Sequence, residues 1–166
     1  DGGFLEEKPE HMTQLTGNLL VPKTHPRIVF RGKLDSLEAA LLLEARALPE
    51  QAKALEEILG CVRKLLRCEV LEEPFVPETL CGLTECEQRA RSQTPQKYYG
   101  CPHFMPEPRD SPAILRLNRL RTQIRETELA AAAAFGRDRE DILRALNRLS
   151  SLVYILMLQC KGETSP

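Results

Sequence analysis

Three charged residues in the segment RTQIRETE recur at the spacing of apolar residues in a helix. At about 100° per residue, Arg121, Arg125 and Glu128 fall on the same side as the leucines and isoleucines. A charge on an apolar face is costly to bury unless it is paired or bound to a ligand. Two interpretations follow. Either the arginines and the glutamate neutralise each other, or the arginines line a cleft for an anion, because a guanidinium can bind two phosphate oxygens at once.

A second polar stripe lies in the segment ALNRLSSLVYILML near the end of the chain. Asn147, Ser150, Ser151 and Tyr154 recur at helical spacing on an otherwise apolar segment, which predicts a buried helix. The stripe is either a hydrogen-bonded network in the core or one wall of a cleft. Two such stripes in one small protein, together with an N-terminal loop that contains glycine and threonine, favour a ligand cleft.

The N-terminal loop offers groups that can bind phosphate, namely Thr13, Thr16, Gly17, Asn18 and Lys23. Hydroxyl groups, glycine backbone N–H groups and a lysine charge can together hold phosphate oxygens. The chain has neither a P-loop motif nor a dinucleotide-binding glycine motif. A plain turn is therefore the competing interpretation of this loop.

Cysteine and histidine residues also cluster in the middle of the chain, at Cys81, Cys86, Cys101 and His103. These residue types suit zinc. Their spacing is not one of the usual closed forms, and no C-x-x-C pair occurs. Buried or unreactive thiols are therefore favoured over a metal site.

The elements that must position these groups are helices. Apolar periodicity and capping residues predict an all-α fold, a bundle of four or five helices with an irregular N-terminal loop segment. The first helix is predicted to begin at Asp35 or Ser36, and the long helix of RTQIRETE at Ser111-Pro112. The predicted helices cover residues 36–48, 50–71, 84–92, 112–134 and 138–160.

The chain is predicted to form one domain, residues 1–166, with a loop region over 1–33 and a helical bundle over 34–162. A second irregular segment, residues 93–110, interrupts the helices with four prolines. Long irregular segments in compact domains tend to be lids or binding loops.

Composition excludes several classes of protein. Hydrophobic residues make up 42% and charged residues 28% of the 166 residues, as in ordinary globular domains. The net charge of −1 argues against nucleic acid as a partner, although RLNRLRTQIR could form a basic helix. No apolar run is long enough for a membrane span, and no export signal is visible, which predicts a cytoplasmic protein with reduced thiols.

Several segments resemble the ATP:cob(I)alamin adenosyltransferases, most closely the ethanolamine-utilisation type. They are HPRIVFRGKLDSLEAA, GLTECEQR, the loop ending in HFMP, RTQIRETE and ALNRLSSLVYILM, collinear over roughly residues 8–160. Related enzymes of the propanediol-utilisation type are five-helix bundles, usually trimers, with active sites between adjacent subunits. The resemblance therefore implies a homo-oligomer, with a trimer favoured and a dimer as the alternative.

The activity that the resemblance implies is transfer of the 5′-deoxyadenosyl group of ATP to the Co(I) of a corrinoid. Adenosylcobalamin forms and polyphosphate is released, with Mg²⁺ bound to the nucleotide and a reductase as a further partner. The ethanolamine type also implies an association with a bacterial microcompartment.

The resemblance further implies individual roles. Arg121 would be a structural or catalytic residue paired with Asp35. Arg125 and Asn147 would contact the ATP phosphates, and Glu128 would help to hold the nucleotide or its Mg²⁺.

Two loops complete the implied site. The segment from Thr13 to Lys23, with Thr16 and Gly17, would wrap the triphosphate. The HFMP segment would lie beside the corrinoid, where the family uses an apolar residue to displace the lower axial ligand of cobalt. Alignment to the proline indicates His103, whereas chemistry indicates Phe104, which is favoured.

The chain also departs from the family pattern. Ser151 replaces an aspartate of the wider family, and the N-terminal loop lacks the signature T-x-T-G-D-x-G. Ethanolamine-type enzymes carry an upstream metal motif, H-x11-C-C-x2-C, that nothing here matches. Either an additional divalent metal binds upstream of this chain or this member lacks it.

A non-catalytic corrinoid-binding, carrier or scaffold bundle is the alternative function.

Overall fold

The computed structural model describes residues 7–163, which form four long helices, two short helices and one hairpin. In chain order the elements are β1 (Met12–Thr16), β2 (Leu19–Pro22), α1 (Pro26–Ala47), α2 (Ala52–Val70), α3 (Glu85–Gln93), α4 (Pro95–Tyr99), α5 (Pro112–Phe135) and α6 (Glu140–Glu163). The predicted all-α bundle is confirmed. Among the described residues, no helix has the length and apolar character to cross a bilayer.

The bundle is organised around α5, which packs along both α6 and α1, while α1 also packs against α2. Apolar side chains from all four long helices meet in one core, where each fully buried Leu or Ile contributes about 1.5–3 kcal/mol relative to exposure. The largest fully buried side chains are Phe30, Leu34, Leu37, Leu41, Leu55, Ile58, Leu65, Ile114, Leu117, Leu120, Ile124 and Ile142.

Local capping explains where two of the predicted helices begin. The Ser111 side chain accepts the backbone N–H of Ile114, and Pro112 follows in the first turn of α5, as predicted. At α3, Thr84 and Glu87 form a reciprocal capping box. Both starts were visible in the sequence because each cap is a purely local interaction.

The start predicted for α1, at Asp35 or Ser36, is wrong. The helix begins at Pro26, where His25 accepts the backbone N–H of Arg27, so the residues 26–33 that were assigned to the loop region are helical. The buried side chains of Phe30 and Leu34 extend the apolar stripe of the helix backwards. Their burial outweighs the roughly 1 kcal/mol that Gly32 costs inside a helix.

Residues 12–22 form an antiparallel hairpin rather than an irregular loop. Thr13 pairs with Val21, and Thr16 pairs with Leu19 across a two-residue turn. Gly17 has φ +52°, in the left-handed region that glycine adopts without strain. A plain turn was one of the two interpretations of this segment, and the pairing of the strands on either side of it was not predicted.

The irregular segment at 93–110 contains the short helix α4 and then continues without regular structure to Asp110. Gly100, at φ +68°, ends α4 in the left-handed conformation typical of helix C-caps. The segment is fastened to α6, because Lys161 Nζ donates to Asp110 Oδ1 at 2.7 Å and the Tyr154 hydroxyl accepts the backbone N–H of Phe104 at 3.2 Å.

An ion network fixes the first turns of α1 to the end of α2. Glu69 is fully buried and accepts from Arg27 Nε and from Arg31 Nε, each at 2.6 Å. The Arg27 guanidinium also lies 5.8 Å from the ring centroid of Phe135. These contacts place the start of α1, which the hairpin immediately precedes, beside the C-terminal end of α5.

Candidate active site at the α5–α6 cleft

Residues from both polar stripes predicted from the sequence line one open cavity of about 520 Å³, the α5–α6 cleft. One wall comes from α5, a second from α6, and a third from the segment that follows α4. The lining residues are Ser92, His103, Phe104, Met105, Pro106, Asn118, Arg121, Arg125, Ser150, Ser151, Tyr154 and Met157.

The α5 wall carries two cations that lack a carboxylate partner. Arg121 donates through Nε and Nη2 to Asn118 Oδ1, at 3.2 and 3.0 Å, and Arg125 has neither a hydrogen bond nor an ion pair from its side chain to any residue within 7–163. Burial and then the neighbouring charge of Arg125 lower the pKa of Arg121. Arginine nevertheless stays charged, so this wall attracts anions.

Burial on α5 differs from the sequence prediction. Arg121 is half-buried and Arg125 is exposed, and both lie along the edge of the buried stripe rather than within it. The residues that face the core are Ile114, Leu117, Leu120, Ile124, Thr127 and Ala131. The arginines do not bear the full cost of burial, because the cleft keeps their guanidinium groups in contact with solvent.

The predicted pairing of Arg121 with Asp35 is absent within this chain. Asp35 is exposed near the middle of α1 and does not line the cleft, and Arg121 donates to Asn118 instead. Asn118 was missed as a site residue, although its position three residues before Arg121 places it on the same helical face.

Glu128 on α5 and Asn147 on α6 lie opposite each other, about one helical turn beyond the residues that line the cleft. Asn147 Nδ2 donates to Glu128 Oε1 at 3.4 Å, and Asn147 Oδ1 accepts from Arg148 at 2.7 Å. Neither Glu128 nor Asn147 lines the cleft. Within residues 7–163, no lysine or arginine forms a salt bridge to Glu128, so its carboxylate keeps capacity to bind a cation.

The third wall is held in place by Tyr154, whose hydroxyl accepts the backbone N–H of Phe104 at 3.2 Å and lies 3.3 Å from His103 Nδ1. His103 Nε2 lies 3.2 Å from the carbonyl oxygen of Gln93. Since a carbonyl only accepts, Nε2 carries the hydrogen and Nδ1 accepts from the tyrosine hydroxyl. Both imidazole nitrogens are therefore engaged, which supports Phe104 rather than His103 as the residue that faces a ligand.

The Phe104 ring lies between two neighbours. It stacks on the ring of Tyr154 with a centroid distance of 6.1 Å, and Lys161 Nζ lies 5.2 Å from its centroid. Tyr154 belonged to the predicted polar stripe but was not singled out as a site residue. Its spacing on α6 was a signal, whereas its two loop partners could be identified only in the folded chain.

The N-terminal candidates are not brought to the cleft within one chain. None of Thr13, Thr16, Gly17 and Lys23 lines the cavity. The hairpin leads into the start of α1, near Phe135, which is ten residues or about 15 Å along α5 from Arg125. The roles predicted for these residues stay predictions.

The cysteines do not assemble a metal site in the part of the chain that the structure describes, where no group of three or more metal-ligating side chains occurs. Cys101 is buried with its Sγ 3.8 Å from the carbonyl oxygen of Leu158. Burial, and then a hydrogen bond with Glu57, raises the pKa of Cys81 to about 12. Thiols in this state are poor metal ligands, because metals bind the thiolate.

The protein is thus a helical bundle whose cleft combines an anion-attracting wall with a loop that carries apolar side chains. The family comparison is more specific. The chain matches the family model described as cobalamin adenosyltransferase over residues 4–160, and it belongs to that family.

Curated relatives include the corrinoid adenosyltransferases EutT of Salmonella typhimurium strain LT2 and of Escherichia coli strain K12, which are 37% and 35% identical over 158 residues. Each match covers 92% of this chain and 59% of the relative. The chain therefore spans somewhat more than half the length of these relatives.

A solved structure shares the fold. It is a variant of the PduO-type ATP:corrinoid adenosyltransferase from Lactobacillus reuteri, complexed with cobalamin and ATP. The TM-score is 0.73, the identity is 16%, and the match covers 94% of this chain and 92% of that one.

Proposed function

We propose that this chain transfers the 5′-deoxyadenosyl group of ATP to the Co(I) centre of a corrinoid. The observation that carries the proposal is the α5–α6 cleft, where two arginines without carboxylate partners, Arg121 and Arg125, face the same cavity as the apolar ring of Phe104. A polyanion fits the first feature and a macrocycle fits the second. The EutT relatives, named as corrinoid adenosyltransferases, support the same reaction.

In the proposed step, the electron pair of Co(I) attacks the 5′ carbon of ATP. A cobalt–carbon bond forms, the bond between that carbon and the phosphate oxygen breaks, and triphosphate leaves with the bonding electrons. Negative charge grows on the leaving oxygen, so Arg125 stabilises the transition state more than the ground state. Asn147 lies beyond the cleft next to Glu128, and its side-chain amide would donate to the phosphates in place of the 3.4 Å contact with that carboxylate.

The nucleotide would carry Mg²⁺, for which Glu128 is the proposed protein ligand. Its carboxylate has no basic partner among the described residues, and Mg²⁺ prefers oxygen ligands of this kind. The bound ion would neutralise part of the triphosphate charge. The corrinoid would lie against Phe104, which excludes a lower axial ligand from cobalt and thereby makes Co(I) accessible.

We further propose that a second copy of the chain completes the site, because Thr13, Thr16, Gly17 and Lys23 do not reach the cleft of their own chain. A homo-oligomer, with a trimer favoured, would bring the hairpin of one copy to the cleft of the next and Asp35 towards Arg121. Exposed apolar residues on the outer faces of α1 and α5 support such contacts; they are Val29, Leu42, Leu43, Leu115 and Leu129.

The cellular setting follows the ethanolamine-utilisation relatives. We place the protein in the cytoplasm, in association with a microcompartment, and supplied with electrons by a reductase. Nucleic acid is not among the proposed partners, given a net charge of −1.

An anaerobic absorbance assay tests the activity. Chemically reduced cobalamin and MgATP are mixed with the chain, and the light-sensitive spectrum of adenosylcobalamin is followed. Arg125→Ala should lower the rate by about 10²–10³-fold, because it removes one group that stabilises the leaving charge. The matched control is Arg119→Ala on the outer face of α5, whose side chain is 71% exposed and should not matter. Normal turnover by Arg125→Ala would refute the assigned role, and no product from the unmodified chain would refute the activity.

One observation favours an alternative, a corrinoid-binding bundle without catalysis: within one chain the hairpin is remote from the cleft, so ATP contacts there are incomplete. This alternative predicts corrinoid binding in the absence of ATP binding. Isothermal titration calorimetry with MgATP and with cobalamin separates the two functions.

A further inference from the structure

Tyr154 is the contact between α6 and two consecutive residues of the loop that forms the third wall of the cleft. Its hydroxyl is 3.2 Å from the backbone nitrogen of Phe104 and 3.3 Å from Nδ1 of His103. Its ring is stacked on both side chains, with centroid distances of 6.1 Å to Phe104 and 5.8 Å to His103. One side chain therefore sets the position of an apolar ring and of an imidazole at the same place.

The two loop residues differ sharply in what they offer to a metal. A phenyl ring has no lone pair, whereas a neutral imidazole nitrogen is a good ligand for transition metals such as cobalt. In this structure the lone pair of His103 Nδ1 is occupied, because it accepts from the Tyr154 hydroxyl while Nε2 donates to the Gln93 carbonyl. Without the hydroxyl, Nδ1 would be an unoccupied ligand atom at the wall of the cleft.

The contacts around Phe104 also show that α6 holds this part of the loop in place. Its backbone is held by Tyr154, and Lys161 lies over its ring at 5.2 Å while donating to Asp110 at 2.7 Å. The ring is half-buried against α6, whereas His103 is exposed at the rim. The loop therefore presents phenyl surface to the cleft only as long as α6 holds both residues.

We propose that Tyr154 is a positioning residue that presents Phe104, rather than the imidazole of His103, to the lower axial position of a corrinoid bound in the α5–α6 cleft. This inference rests on the proposed function. It assigns the hydroxyl a specific task, which is to keep a nitrogen ligand away from cobalt so that Co(II) remains easy to reduce to Co(I).

The test uses Co(II) cobinamide, a corrinoid without a lower nitrogen base of its own, with MgATP in a nitrogen-free buffer. An axial nitrogen on low-spin Co(II) splits its electron paramagnetic resonance lines, and a splitting that disappears when His103 is removed comes from the imidazole of the protein. We expect no nitrogen splitting with the unmodified chain. We expect splitting with Tyr154→Phe, which keeps the stacked ring and removes only the hydroxyl, and its loss in the double variant Tyr154→Phe, His103→Ala.

A matched control is available close by. The hydroxyl of Tyr99 on α4 is buried without a hydrogen-bond partner among the described residues, and Tyr99 does not line the cleft. Tyr99→Phe also removes a tyrosine hydroxyl near the loop, but it leaves His103 and Phe104 in place. Its spectrum should match that of the unmodified chain.

Turnover gives a second measurement that a merely structural role would not reproduce. When the corrinoid is supplied as Co(II) with a reductant, Tyr154→Phe should slow product formation by about 10–100-fold, the usual cost of losing an outer contact at a metal site. When it is supplied as Co(I), which takes no axial nitrogen, the loss should be much smaller. Loss of the same size in both assays would contradict the inference.

The remaining outcomes also separate the two proposals. If the unmodified chain forms adenosylcobalamin and Tyr154→Phe shows neither nitrogen splitting nor a selective loss with Co(II), the role of Tyr154 is refuted and the proposed function stands. Splitting that persists in the double variant would likewise refute His103 as the competing ligand. If the unmodified chain neither binds cobinamide nor forms product, the proposed function fails, and this inference fails with it.

Discussion

Two arginine pairs in this molecule have the same spacing and opposite surroundings. Arg27 and Arg31 on α1, like Arg121 and Arg125 on α5, are four residues apart and face the same side of their helix. The first pair shares the fully buried carboxylate of Glu69, with both distances at 2.6 Å. The second pair meets no carboxylate among the described residues.

The difference shows what a helical spacing can and cannot predict. Spacing determines that two guanidinium groups lie on one face, but the neighbouring helix determines whether a counter-charge meets them. A paired, buried network fixes the geometry of the fold. Two arginines without a carboxylate partner at an open cleft keep their charge available to an external anion.

The largest expected effect concerns the paired region. Glu69→Ala leaves two cations beside the core without their carboxylate, which should lower the free energy of unfolding by about 3–5 kcal/mol. The midpoint of thermal unfolding should fall by roughly 10 °C or more, as measured by circular dichroism. Glu72→Ala is the control, since Glu72 pairs with Arg27 at 3.1 Å but is 61% exposed. Equal shifts for the two variants would remove the contrast between the arginine pairs.

The second prediction concerns the arginine pair without a carboxylate, Arg121 and Arg125. Inorganic tripolyphosphate at about 100 times its dissociation constant should stabilise the chain by about 2.7 kcal/mol, because it binds only the folded cleft. Arg125→Gln should lose most of this stabilisation in a thermal-shift titration. Arg119→Gln, on the outer face of α5, should retain it. A tripolyphosphate shift that survives Arg125→Gln would place the anion site elsewhere.

The smallest expected effect concerns a third arginine, Arg139, which is paired with the carboxylate of Asp141. Burial alone would raise the pKa of Asp141, but hydrogen bonds from Arg139 and from the backbone N–H groups of Phe75 and Ile142 lower it overall. A lowered folded pKa gives stability that is present above the unfolded value and is lost as pH falls through the folded value.

Asp141→Asn should therefore cost about 1 kcal/mol or less at neutral pH, and the difference from the unmodified chain should shrink below about pH 4. Urea unfolding at a series of pH values measures this difference, with the exposed Asp138→Asn as control. A difference that stays constant down to acid pH would show that the hydrogen bonds, and not the charge, carry the contribution.

Much of the bundle could be predicted because its signals are local. The start of α5 follows from Ser111 and Pro112, and the start of α3 follows from the capping box at Thr84. The start of α1 could not be predicted, because the apolar contacts of Phe30 with α5 override the turn-forming residues around it. Helix ends set by distant packing leave only a weak local signal.

The candidate site was predicted in part. The stripes on α5 and α6 were recognised from periodicity, and the structure places Arg121, Arg125, Ser150, Ser151 and Tyr154 around one cavity. The distance of the hairpin from that cavity was not foreseen. The contact of Arg121 with Asn118 was not foreseen either, although their spacing of three residues on α5 carried that signal. Whether Asp35 of α1 reaches Arg121 could not be predicted, because it depends on how the helices pack.

The sequence by itself determined which residues share a helical face, because 3.6 residues per turn is a property of the backbone. It also determined family membership, over residues 4–160. Only the tertiary structure decided which charges are neutralised. Glu69 reaches Arg27 across 42 positions of the chain, whereas Arg125 meets a cavity instead of a carboxylate. The physical reason is that electrostatic pairing depends on distance in space, which chain order does not encode.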